Sequence, residues 1–194
     1  AGVHAKGQIA HLDLERDDDM SKALRDATNV HARPHPVVIL DAERVSEDFH
    51  ARFSTQSRLY HYVILNRRAP PMLERGLCWH VPRPLDVTAM QHGALHLIGY
   101  HDFTTFRAAH CQADSPMRTI DSIDLMQNDN RITIAVRARS FLYHQVRNIV
   151  GTLHHVGLGQ WHPDDVKRAL LARDRTAGGP TAPAEGLYFM KAEY

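Results

Sequence analysis

The chain has 194 residues, of which 43% are hydrophobic and 23% charged; such a chain buries a core without disulfide or metal staples. No apolar run approaches the roughly 18 residues of a membrane-spanning helix, and the composition is neither that of a disordered chain nor that of a collagen. The net charge of +1 hides an asymmetry: residues 1–50 carry 10 acids and 6 bases, residues 51–147 carry 12 bases and 7 acids, and the remainder carries 5 of each.

In chain order, residues 7–14 alternate apolar and polar positions and predict a strand. Asp19 is placed to cap a short helix over 20–28, where Met20, Ala23, Leu24 and Ala27 recur at helical spacing. After Pro34 and Pro36, residues 37–45 read as a strand. A long strand follows over 57–66, closed by Arg67-Arg68-Ala69-Pro70-Pro71. Asp86 is a candidate cap for a helix over 87–98. Residues 118–127 and 131–139 form a hairpin pattern around Asn128-Asp129-Asn130, residue types that tolerate positive φ. Residues 141–156 carry helical periodicity in Phe141, Val146, Ile149, Val150, Leu153 and Val156, and Gly157 and Gly159 would close that helix. Pro163 suits the first turn of a last helix over 163–172, and Leu187–Met190 read as a closing strand. Hairpins mixed with helices favour an α+β fold with a largely antiparallel sheet.

The bases are of one kind, 19 Arg against 4 Lys. The planar fork of Arg suits phosphate and stacks on bases, which leans toward RNA; a GC-rich genome produces the same bias. Two cysteines, Cys78 and Cys111, form no disulfide framework and suit a reduced, cytosolic setting. The chain starts Ala1-Gly2-Val3-His4 without Met, so Ala1 reads as lying downstream of the point where translation begins.

Histidine is abundant at 15. His92 and His96 stand at i and i+4 on a predicted helix, a spacing that can bind zinc, but no HExxH arrangement or cysteine pair accompanies them. No G-x-S-x-G elbow and no phosphate-binding Gly-rich loop is present. Three stretches are more informative. Residues 49–62 interleave Arg, His and aromatic side chains before a hydrophobic strand, with Tyr60 and Tyr62 on one face; a stacking ring beside a cation is what an extruded base needs, although sheet-core tyrosines would look alike. Residues 141–151 place Arg147 inside an apolar helical face, where it requires a carboxylate or phosphate, in a structural ion pair or in a cleft. Residues 184–187 put Gly186 before an apolar strand start, which alone marks only a turn.

Six strings occur in order: AGVHAKGQ at 1–8, DFHARFS at 48–54, RLYHY at 58–62, DFTTFRA at 102–108, FLYHQVRNIVG at 141–151 and AEGLYF at 184–189. Together they resemble the bacterial tRNA pseudouridine synthase A family along the whole chain. The resemblance implies a two-domain α+β pseudouridine synthase fold with largely antiparallel sheets joined across a basic cleft. Its N-terminal part is missing here: residues 1–48 would be a remnant of the N-terminal domain and 49–194 the C-terminal domain. It implies isomerisation of uridine to pseudouridine at position 38, 39 or 40 of the tRNA anticodon stem-loop, by a cytoplasmic homodimer that uses no cofactor and no metal. The family's catalytic Asp stands immediately before the string that opens this chain, so these 194 residues are expected to be inactive alone; neither Asp102 nor Asp114 stands in its context. Tyr60 corresponds to the active-site Tyr that stacks on the base and is placed for proton transfer, Arg147 to the Arg that pairs with the catalytic Asp, and Leu187 to the apolar residue under the base. Arg52, Phe106, Arg107 and His144 lie in matching strings and are expected to line the cleft. A non-catalytic RNA-binding fragment or paralogue of the same fold is the alternative.

Overall fold

The structure, a computed structural model, describes residues 2–15 and 20–194. The chain divides into two compact units, Ala1–Gln8 with Thr55–Tyr194, and Ile9–Ser54. This division by packing falls at other positions than the 48/49 boundary expected from the resemblance.

In the larger unit the described strands are β1 (His4–Ala5), β2 (Ser57–Asn66), β3 (Trp79–Val81), β4 (Gly99–Asp102), β5 (Met117–Asn128), β6 (Arg131–Ala138) and β7 (Leu187–Glu193). They form one sheet in the order β1-β7-β2-β6-β5-β4, with β3 also paired to β2. All neighbours are antiparallel except β1 with β7 and β2 with β3. β2 is the central strand. One edge pairs with β6 from Arg58 to Leu65; the other pairs with β7 over residues 57–62 and with β3 over residues 64–66. The expected strand at 57–66 is therefore found as such, and its apolar second half, Tyr62 to Leu65, is buried. The hairpin is found too. Asp129 adopts φ 50° at its turn, a conformation Asp tolerates better than most residues.

Three helices of this unit, α2 (Val87–Leu95), α3 (Gln145–Gly157) and α4 (Pro163–Ala172), share one buried cluster with the sheet, including Tyr62, Ile64, Ile123, Ile134, Met90, Ile149, Leu153 and Val166. Each such side chain removed from water contributes about 1.5–3 kcal/mol before entropy is counted. The Asp86 carboxylate caps α2 by accepting from the Ala89 N–H at 2.9 Å. α2 ends three residues before the expected 98. The Gln91 side chain of α2 donates to the Ile123 carbonyl at 3.0 Å and accepts from the Leu125 N–H at 2.8 Å. It thereby satisfies the edge of β5 beyond the short β4, which pairs only as far as Ile120. α4 spans the expected residues, and its cap is the His162 side chain in a reciprocal pair with Asp165.

One further expectation for the larger unit is corrected, and two strands lie where none was expected. The helix expected over 141–156 starts only at Gln145, because His144 holds φ 60°, ψ 8° and breaks the helical path. β3 and β4, three and four residues long, were too short to show a period.

In the smaller unit α1 (Ser21–His31) is found, extending past the expected 28; the expected cap Asp19 lies outside the described residues. No strand forms over 37–45. The Asn29 side chain both donates to the Ile39 carbonyl, at 2.9 Å, and accepts from its N–H, at 2.7 Å. A side-chain amide thus takes the place of a neighbouring strand. The strand expected over 7–14 is likewise not formed; the ladder in this region is β1, two residues long and ending at Ala5. Alternation alone does not make a strand without a partner edge.

Candidate functional site

The site is built on the helix-covered face of the sheet. Tyr60 and Tyr62 lie on that face of β2, two residues apart. Across the ladder Tyr62 pairs with Leu187 and Tyr60 with Phe189, and a register shift between Leu59 and Tyr60 marks a bulge beside Tyr60. Such a bulge re-aims the side chains around it. The Tyr60 ring meets Phe141 edge-on at 5.2 Å and Phe189 at 5.1 Å between centroids. Burial raises the Tyr60 phenol above its ordinary pKa, with Arg58 opposing. Tyr60 is therefore a neutral phenol at neutral pH. Leu187 is buried.

Arg147 enters from the first turn of α3. Its Nε donates to the Ala182 carbonyl at 2.6 Å and its Nη1 lies 3.2 Å from His144 Nε2. The Ala182 N–H returns a bond to the Arg147 carbonyl at 3.1 Å. A guanidinium has no acceptor, so His144 Nε2 must carry the lone pair and the ring must be neutral. Burial, and then the neighbouring Arg147 charge, lower the His144 pKa in agreement. Among the described residues no carboxylate pairs with Arg147; its side-chain partners are the Ala182 carbonyl and His144.

Arg147 and Leu187 are joined by the segment between Gly178 and Gly186, which lies flat on α3. A Cβ added at Gly151 would stand 1.7 Å from the Pro180 carbonyl oxygen, and one at Gly179 would stand 2.6 Å from Thr152 Cα. Only two glycines let backbone touch backbone here. The Thr152 hydroxyl accepts from the Gly179 N–H at 2.9 Å, and Tyr62 donates its hydroxyl to the Pro183 carbonyl at 2.7 Å. A Cβ at Gly186 would meet the Tyr62 ring at 2.6 Å. The glycines of the strings RNIVG and AEGLYF thus have a steric reason, which for Gly186 a turn reading did not supply.

Other expected site residues fall differently. Phe106 is fully buried and packs against Phe103, so its ring is part of the core. Arg107 is half-buried and its Nη2 donates to the Cys111 and Ala113 carbonyls, at 2.8 and 2.5 Å. Its guanidinium ties down the loop that carries Cys111. Burial disfavours the Cys111 thiolate, yet the Tyr143 and Ala113 N–H groups and Arg107 together bring the thiol below its ordinary value. Tyr143 is exposed and stacks on His144 at 3.9 Å. Arg52 belongs to the smaller unit, where its guanidinium lies 5.7 Å from the centre of the Phe53 ring. His96 lies 3.1 Å from Asp164. Among the described residues no group of three or more His, Cys, Asp or Glu is arranged to hold a metal, and no helix is long and apolar enough to cross a membrane. Sequence reasoning missed Asn148, whose fully buried side chain joins three segments. A polar residue between Arg147 and the apolar pair Ile149-Val150 was the available signal.

The helices laid on a mostly antiparallel sheet are consistent with a pseudouridine synthase fold, and residues 94–194 match the family described as tRNA pseudouridine synthase. Over all 194 residues the chain is 56% identical to tRNA pseudouridine synthase A of Paramagnetospirillum magneticum, covering 75% of that protein. It is 51% identical to tRNA pseudouridine synthase A of Rhodospirillum rubrum and 54% to that of Rhodospirillum centenum, covering 69% and 79% of them. The chain belongs to the tRNA pseudouridine synthase family, of the synthase A type.

Proposed function

We propose that this chain is the greater part of an enzyme that converts uridine to pseudouridine in the tRNA anticodon stem-loop, at position 38, 39 or 40, as a cytoplasmic homodimer. The observation that carries the site assignment is Arg147: a half-buried guanidinium, oriented by a carbonyl and a neutral imidazole, that has no carboxylate among the described residues and whose charge is felt at Tyr62, the residue paired with Leu187 and two from Tyr60. A buried cation without a counter-charge is costly, and an incoming acid relieves that cost.

The reaction breaks the bond from ribose C1′ to N1, turns the base, joins C1′ to C5, and moves the proton of C5 to solvent while N1 gains one. The base must leave the stack, at a cost of a few kcal/mol. Stacking on the Tyr60 ring over an apolar floor that includes Leu187 returns roughly 1–3 kcal/mol. The acid that attacks the nucleoside must be ionised, and Arg147 both lowers its pKa and orients it. We place that acid, an Asp, immediately upstream of Ala1. Tyr60, being neutral, can take the C5 proton only if its own phenolic proton leaves in the same step. His144, with the Tyr143 ring stacked on it, flanks Arg147; Arg107, and Arg52 on the smaller unit, are RNA contacts in this reading. The Arg-rich middle of the chain holds phosphates, so tRNA affinity falls as salt rises.

The test is tritium release from tRNA carrying 5-tritiated uridine. The 194-residue chain releases none, and the chain extended upstream through the Asp releases tritium. Arg147→Lys in the extended chain loses most activity because the planar fork is gone. Full activity of that variant would remove Arg147 from catalysis, and release by the unextended chain would refute the upstream Asp. Retention of tRNA by an extended chain that never isomerises it would favour the RNA-binding alternative.

A further inference from the structure

We infer that Asn148 is a positioning residue for Arg147, acting through Thr181 and the segment that carries Ala182. The inference rests on the reading of Arg147 as a catalytic residue and adds what sets its angle. Asn148 follows Arg147 on α3, and its side chain is fully buried. Its Oδ1 accepts from the Thr181 hydroxyl at 2.6 Å and from Arg175 Nη2 at 3.2 Å, while its Nδ2 donates to the Phe106 carbonyl at 2.8 Å. The Thr181 hydroxyl itself lies 3.3 Å from Arg175 Nη2, and the Thr152 hydroxyl donates to the Asn148 carbonyl at 2.8 Å. One amide therefore ties the helix of Arg147 to two remote segments: the stretch that ends in Phe106 and Arg107, and the loop that runs into Leu187.

Thr181 is the link that matters for the guanidinium. The next residue, Ala182, accepts from Arg147 Nε and donates to the Arg147 carbonyl. Fixing Thr181 on Asn148 fixes the carbonyl against which the Arg147 side chain is aligned. Without that carbonyl the long side chain is free to rotate, and the fork meets its acid at a spread of angles. The chemistry of the network suits this task. Asn supplies an acceptor to a hydroxyl and a cation and a donor to a carbonyl, which neither Asp nor Leu does. The network holds the Arg175 charge on two neutral acceptors, the Asn148 amide oxygen and the Thr181 hydroxyl, and needs no carboxylate that would compete for Arg147.

Asn148→Ala removes a buried amide and can unfold the domain, so the test uses Thr181, which is exposed. Thr181→Val deletes the donor at constant shape, and Thr181→Ser keeps it. In the 194-residue chain, the Arg147 Nε–H resonance is identified by its loss in Arg147→Lys, and its hydrogen exchange is measured by 15N NMR. Thr181→Val is expected to speed that exchange at least tenfold, and Thr181→Ser to leave it near wild type. In the chain extended through the upstream Asp, Thr181→Val is expected to lower kcat at least tenfold with KM for tRNA within about twofold, and Thr181→Ser to restore kcat. Unchanged exchange in Thr181→Val would overturn the inference, as would faster exchange with unchanged kcat, or an equal loss of kcat in the Ser variant. Should Arg147→Lys prove fully active, the catalytic reading of Arg147 fails instead, a result the exchange measurement does not depend on.

Discussion

Gly151→Ala puts the packing of α3 against the 178–182 segment to a direct test. The new methyl carbon would lie 1.7 Å from the Pro180 carbonyl oxygen and 2.8 Å from its carbon, whereas ordinary contact begins near 3.4 Å. The obstacle is backbone, so no rotamer change relieves it, and the segment must lift by about 1.7 Å along that line. Overpacking of this kind costs about 1–3 kcal/mol. Lifting the segment also breaks the two Arg147–Ala182 bonds, each worth about 1 kcal/mol net. Ala returns roughly 1 kcal/mol of helix propensity over Gly. The expected net loss is about 2–4 kcal/mol, which lowers Tm by roughly 5–15 °C in a chain of this size. Thermal melts followed by circular dichroism at neutral pH measure it, with urea titration as a second estimate. Gly159→Ala is the control: it meets nothing within 4 Å but sits at φ +68°, so it should cost only about 1–2 kcal/mol. A Gly151→Ala chain that melts within 2 °C of wild type, or above it, would show that the backbone contact does not exist as described.

Three further outcomes are expected. Thr152→Val leaves the buried Gly179 N–H without its acceptor and should lower stability by about 1–3 kcal/mol in urea; an unchanged midpoint would mean another group accepts that bond. Asp86→Ala removes the α2 cap and should cost about 1 kcal/mol, whereas a neutral result would mean the first turn is held by packing alone. Burial, then the charges of His155 and Arg83, push the His154 pKa down to about 4, while the unfolded value is 6.5. The unfolded chain therefore binds more protons between those values, and the contribution of neutral His154 to stability is lost as pH falls from 6.5 toward 4. His154→Phe, which keeps a ring against Trp79, should show a shallower loss of stability between pH 7 and pH 5; an identical slope would place the acid sensitivity elsewhere.

What could be read from the sequence follows the range of the interactions involved. β2 and α4 are set by their own periodicity and ends, and both were legible to the residue. The 37–45 stretch has the periodicity of a strand, yet Asn29 occupies the edge at Ile39, and no local pattern announces a side chain standing in for a ladder. The helix expected from Phe141 is cut short by His144, a residue type without the signature of a breaker. For the site, Tyr60 and Arg147 stood out by their own surroundings, an aromatic beside cations and a cation in an apolar helical face, whereas Leu187 came only from the strings that carry the family resemblance. Asn148 lies inside one of those strings and escaped notice because its partners are Thr181, Arg175 and Phe106. Its meaning is tertiary. Phe106 shows the converse: it stands in a matching string, but its ring belongs to the core and only its carbonyl reaches the network.

The bond from Arg147 Nε to Ala182 has a directional consequence. A guanidinium offers a carboxylate two docking edges, the flank shared by Nε and one Nη and the tip shared by both Nη atoms. Here the flank is spent, because Nε–H is already given to a carbonyl. For the acid proposed above, that leaves the tip, where Nη1 also touches His144 Nε2 at 3.2 Å, and an acid displaced sideways by an ångström or two would meet a single N–H in place of a pair.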